Sequence, residues 1–202
     1  MSRTTRARAK LVRKFKENIF GNPKFDRILA KKPYPPGAHG KKMRRRLSDY
    51  GQQLEEKQKL RAMYDLNEKQ FRRLYTQARK TQAATGEKLL QLLESRLDSV
   101  VYRAGFAATL ASARQLVNHG HVTVDSAKLD IPSYQVKVGQ VVGLSAKTPK
   151  IPQVAALLAS KDNQPAKWLK RQATLVKLER LPERQELNLN VQEQLIVEYY
   201  SR

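Results

Sequence analysis

The chain has 202 residues, 40% of them hydrophobic, and its 40 lysines and arginines against 18 acids give a net charge of +22 and a pI near 10.4. That length suffices for a modest core in one domain or two small ones, and the charge selects a polyanion as partner, nucleic acid ahead of an anionic membrane surface. The lack of cysteine excludes disulfides and thiolate zinc sites, and no apolar run approaches the roughly 20 residues of a membrane span.

The charge is unevenly placed. Residues 1–50 hold 16 basic and 3 acidic side chains, a net of +13, against +3, +4 and +2 in the next three quarters. Residues 1–47 therefore read as an extended basic arm, self-repelling until a polyanion neutralises it. Its candidate contacts are Arg3, Arg6, Arg8, Lys10 and Arg13, then Lys41, Lys42, Arg44, Arg45 and Arg46 in "KKMRRRLSDYG". The start also has the composition of a mitochondrial transit segment, but its basic character continues unbroken to Arg46. Between lies "KKPYPPGAHGKK", where three prolines and two glycines forbid a regular element. Phe15, Phe20, Phe25 and Tyr34 are expected to anchor the arm to a core, ahead of the alternative of stacking on bases.

Residues 48–88 predict two helices. Leu54, Leu60 and Tyr64 mark one apolar stripe; Asn67 with Gln70 fits a capping box, and Phe71, Leu74, Tyr75 and Ala78 mark a second stripe. Arg61, Arg72 and Arg73 on these helices join the candidate RNA contacts.

From Leu89 the run "KLLQLLESRLDSVVYRAGF" predicts a single strong helix, with Leu89, Leu90, Leu93, Leu97, Val100 and Val101 on one face and Gly105 closing it. Thr109 caps a second helix that Gly120 ends. The period then changes to two. Val122 and Val124, Leu129 and Ile131, Val136 and Val138, and Val142 and Leu144 predict short antiparallel strands, with Gly139-Gln140 as a type II′ turn. Residues 89–144 thus form one compact unit of two helices on a small sheet. Farther on, "VAALLAS" reads as a short helix, Trp168 and Leu169 as a buried anchor, and "NVQEQLIVEYY" as a last helix with Asn190 and Glu193 in a capping box. Residues 145–202 are expected to pack back on residues 48–88. The fold class is α+β: a mainly helical domain with an inserted two-helix-and-sheet module, plus the basic arm.

In the module, Arg96, Ser99 and Arg103 share one edge of the first helix, while Ser112, Gln115 and His119 lie opposite the apolar face of the second. Packed side by side, these edges make a polar, basic surface. Arginine forks suit phosphate, and Gln, Ser and His bond to ribose and base edges. In "ARQLVNHGHVTV", Gly120 lets the backbone approach a phosphate closely with His119 and His121 on either side; Arg114 and Lys128 complete the expected face. Metal binding by these histidines is not expected, since no acid follows before Asp125. The chain offers no nucleophile elbow, P-loop or H-E-x-x-H, so neither catalysis, a cofactor nor a small-molecule substrate is expected.

"LLESRLDSVVYRAGFAATLASARQLVNHGHVTV" followed by "LDIPSYQVKVGQVV" resembles the RNA-binding module named after small-subunit ribosomal protein S4, and "YPPGAHG", "LSDYGQQLEEKQKLR", "EKQFRRLY" and "QLIVEYYS" are similar to that protein's family in its bacterial and organellar form. The resemblance implies a primary binder of 16S rRNA that joins the small subunit early. It also implies contact with ribosomal protein S5 and other small-subunit proteins, and a place where mRNA enters, bearing on decoding accuracy. It puts Arg44, Arg45 and Arg46 toward the mRNA path. Arg96, Arg103, Gln115, His119, His121 and Lys128 fall on the rRNA face, and residues 189–200 near the neighbouring protein. The implied location is the cytoplasmic small subunit, or the ribosome of a plastid or mitochondrion. The zinc-binding cysteines of some members are missing, and Asp125-Ser126 replaces the usual Asn-Gly turn. Three other functions are weighed against this one: an enzyme carrying the same module, such as a pseudouridine synthase or a tyrosyl-tRNA synthetase, repression of the protein's own mRNA, and membrane-surface binding. The first needs a catalytic domain, for which residues outside 89–144 leave little room. The Pro/Gly-broken arm argues against the last.

Overall fold

The computed structural model describes residues 7–42, 46–81, 83–160 and 163–201. They form two compact units: residues 1–86 with 189–202, and residues 87–188.

In the first unit, the arm folds. Helices α1 (Arg8–Phe15) and α2 (Pro23–Lys31) replace the expected extended chain, because Val12 is fully buried and Asn22 accepts the amide of Lys24 as a cap. Helix α3 (Asp49–Met63) begins at Ser48, whose hydroxyl accepts the Gly51 amide. Helix α4 (Glu68–Arg79) begins in the predicted box: Asn67 Oδ1 accepts the Gln70 amide, and Gln70 Oε1 accepts that of Asn67. Leu60, Leu66, Phe71, Tyr75, Ala78 and Ile196 build the core.

Helix α5 (Thr85–Glu94) leads into the second unit, where the predicted long helix is broken. Ser95 and Arg96 leave the helical path, and α6 (Leu97–Arg103) restarts from Arg96 at ψ 142°. The break is made by residues 132–136. Their carbonyls accept the amides of Leu97 and Asp98, and the Val136 amide donates to the Ser95 carbonyl. Helix α7 (Leu110–Asn118) is capped by Thr109 and ends at Gly120, φ +69°, as anticipated.

The sheet is antiparallel and larger than predicted, ordered β2-β1-β3-β5-β4. Strands β1 (Val122–Val124), β2 (Ala127–Lys128) and β3 (Val141–Leu144) come from the expected region. After helix α8 (Pro152–Ala159), β4 (Leu169–Gln172) and β5 (Leu175–Leu178) join it. Residues 145–188 therefore belong to this unit rather than to the helical one, and only 189–202, with α9 (Glu193–Ser201), return. Two expected strands are absent: Ile131 and Val138 are exposed, and residues 129–138 contribute only the bridge between Gln135 and Arg96. Gly139 sits third in the turn 137–140 with φ +93°, a type II rather than type II′ position.

The Asp125-Ser126 turn keeps the shape that Asn-Gly would favour. Both residues have positive φ, 47° and 71°, a type I′ hairpin. Asp125 offsets the strain by accepting the Val141 amide on Oδ1 and the Gln140 side chain on Oδ2.

Candidate nucleic-acid interface

The expected arginine edge is turned inward. Asp98 is fully buried and accepts two hydrogen bonds from Arg96, at 3.1 and 3.0 Å, one from Arg114 Nε at 2.9 Å and one from the Ser99 amide. Arg96 and Arg114 are themselves buried, as is Ser99. Arg103 closes on Glu94, whose side chain has no exposure, through its Nε and Nη2. Spacing alone placed these cations on one face; the two carboxylates draw them into the unit, where paired, hydrogen-bonded charge is tolerable and unpaired charge is not.

What reaches the surface is the far end of α7 and the strand beside it. Gln115, His119 and Lys128 are exposed and His121 is half-buried, with the two imidazole rings 6.3 Å apart. Gly120 is favoured here by its positive φ of +69°, and the flexible Lys128 side chain lies across it, its Cε 2.2 Å from where a Cβ would stand. The backbone beneath is fixed, since the His121 carbonyl accepts both the Ser145 amide and the Thr148 hydroxyl. Ser112 is half-buried with its amide held by Thr109. Histidines at a helix end, a lysine and an exposed glutamine offer donors to phosphate and ribose on a rigid support.

In the first unit the candidates divide similarly. Arg13 is structural: it donates to the carbonyls of Tyr34 and Pro35, with its guanidinium 5.0 Å from the Tyr34 ring. Arg8 lies 5.3 Å from the Phe20 ring centre and 4.0 Å from Asp65, while Arg61 pairs with Glu68 and Gln58. Phe15, Phe20, Phe25 and Tyr34 are half-buried, and their ring contacts are with one another and with cations of the arm itself. Lys10, Lys41, Lys42, Arg46, Arg72 and Arg73 are exposed. Arg3, Arg6, Arg44 and Arg45 lie outside the described residues. The C-terminal candidate region differs in one detail: α9 starts at Glu193, and Asn190 instead bonds Glu17 and accepts the ammonium of Lys59.

Sequence reading missed Lys170 and Lys177, exposed on β4 and β5. The alternation in "WLKRQATLVKL" was the available signal. Among the described residues no helix is long and apolar enough to cross a membrane, and no group of three His, Cys, Asp or Glu side chains is placed to hold a metal ion.

Comparison with known proteins bears on the whole chain. Residues 3–94 match the family model for the ribosomal protein S4/S9 N-terminal domain, and residues 95–142 match the S4 domain. The boundary falls at the break between α5 and α6. Curated proteins named small ribosomal subunit protein uS4 from Parabacteroides distasonis and Halalkalibacterium halodurans are each 48% identical, and that from Bacteroides thetaiotaomicron 46%, every alignment covering 100% of both chains. Identity at this level along the full length, with both family models in order, shows that the chain belongs to the uS4 family of small ribosomal subunit proteins.

Proposed function

We propose that the protein is a structural, non-enzymatic constituent of the small ribosomal subunit that binds 16S rRNA directly, enters assembly early and holds a junction of rRNA helices. The observation that carries this reading is the corner built by Gln115, His119, Gly120, His121 and Lys128, where polar and cationic groups stand on a backbone held by α7, β1 and β3. The same reading assigns Arg44, Arg45 and Arg46 to the mRNA path, residues 189–200 to contact with ribosomal protein S5, and the protein to decoding accuracy within the cytoplasmic or organellar ribosome.

The test is a filter-binding titration of the protein against a 5′-domain fragment of 16S rRNA with tRNA as competitor. Specific binding survives the competitor, and the double substitution His119→Ala/Lys128→Ala weakens it about tenfold. Binding that tRNA removes would leave only a generic affinity for polyanions and overturn the proposal.

A further inference from the structure

The five-stranded sheet of the second unit has one buried face and one solvent face, and the solvent face is cationic. The register sets two rows across it. In the first, Lys128, Thr123, Gly143, Leu175 and Gln172 are consecutive cross-strand partners; in the second, Val141, Lys177 and Lys170 follow one another. That these share a face is visible at Gly143, whose Cβ would meet Leu175 at 2.7 Å and Thr123 Oγ1 at 2.9 Å. Residues of opposite parity, Val124, Val142, Val176, Leu169 and Leu178, are buried.

Two features mark this face as a contact surface. Lys170 and Lys177 stand directly opposite each other on β4 and β5, a like-charge pair that destabilises a sheet unless something neutralises it. Glu179 does so weakly: it lies 3.8 Å from Lys170, and both side chains are about half exposed or more. Leu175, within the first row, meanwhile stays 48% exposed. Lys128, Lys170 and Lys177 outnumber the carboxylates beside them, Glu179 and, at the Val141 amide, Asp125, and such a face fits a run of phosphodiesters, with Leu175 and Gln172 against sugars and base edges.

We propose that this outer sheet face is a second RNA-binding surface, reaching from Lys128 at the edge of the His119–Lys128 corner and engaging the phosphate backbone through Lys170 and Lys177. It rests on the reading of the protein as an rRNA binder, and the RNA is the same.

The test uses the full chain and the 5′-domain fragment. Lys170→Gln/Lys177→Gln should flatten the slope of log K against log salt by about 1.4 to 1.8, two phosphates at roughly 0.7 to 0.9 each, while Glu179→Gln should tighten binding. Because the chain has no cysteine, Gln172→Cys provides a unique site for a photoreactive label, which should crosslink to the fragment. Wild-type affinity and slope in the double variant, with no crosslink from a labelled protein that still binds, would overturn the surface while leaving the rRNA reading intact. Loss of specific binding by the unsubstituted protein would overturn that reading instead. Crosslinks in reconstituted subunits that fall only on a neighbouring protein would also overturn the proposal.

Discussion

Asp98 is the residue on which the second unit turns. It ties the restart of α6 to α7 by holding Arg96 and Arg114 within one buried group, and α7 carries the exposed corner at its end. Removing one partner of such a group leaves charge stranded out of water. Asp98→Asn keeps the shape and removes the charge, so it should lower stability by about 3 to 5 kcal/mol in urea unfolding; a loss below about 1 kcal/mol would mean that water relieves both guanidiniums. At this scale the sequence was misleading for a definable reason. The spacing of Arg96, Ser99 and Arg103 describes a shared helical edge, but it does not say where Glu94 and Asp98 sit. Gly120 was legible because a left-handed helix end favours glycine, whereas the lysine lying across it comes from another strand.

At the scale of elements, the joint of the first unit is made where α9 meets α3 and α4. Glu68 accepts a hydrogen bond from the Tyr200 hydroxyl at 2.7 Å and from Lys57 at 2.9 Å, and the rings of Tyr75 and Tyr200 stack 4.5 Å apart. Burial alone would raise the Glu68 pKa, but the hydrogen bonds from Lys57 and Tyr200 and the charges of Lys57 and Arg61 outweigh it and hold the carboxyl below its usual range. Burial and the same carboxylate push the Tyr200 phenol up. The signs follow by linkage. A depressed carboxylate stabilises above its unfolded value near 4 and loses that contribution as pH falls through its folded one, whereas a raised phenol stabilises below about 10 and loses its contribution as pH climbs beyond. Tyr200→Phe should therefore cost about 1.5 kcal/mol near neutrality and remove part of the alkaline loss in pH-dependent unfolding; an unchanged alkaline limb would separate Tyr200 from it. Capping residues made α4 and α7 readable from sequence because caps act over three residues. The α5–α6 break was not, since residues 132–136 impose it from some 40 positions away, and β4–β5 were missed because Ala173, φ +49°, turns the chain without glycine or asparagine.

For the whole molecule, the decisive fact is that the first unit is discontinuous, residues 1–86 completed by 189–202 across an intervening unit. The sequence indicated a returning tail but placed the return at residue 145, because the strands that extend the sheet look like connecting chain. The division predicts unequal dependence on α9. Ile196 is fully buried, and Gln53 and Lys59 of α3 bond to Glu198 and Asn190. Deleting residues 189–202 should strip amide exchange protection from α3 and α4 while β1, β3 and β5 stay protected; uniform loss, or none, would contradict two separately organised units.

The nested order of the chain also sets a schedule during its own synthesis. Residues 87–188 emerge as an uninterrupted stretch and have every strand of their sheet before α9 is translated. The highly basic leading segment has its last packing partner only after all of them. A nascent chain therefore meets the crowded, polyanionic surroundings of the cell with its central unit able to close and its leading one still open, so the order in which the units can close runs opposite to the order in which most of the positive charge is translated.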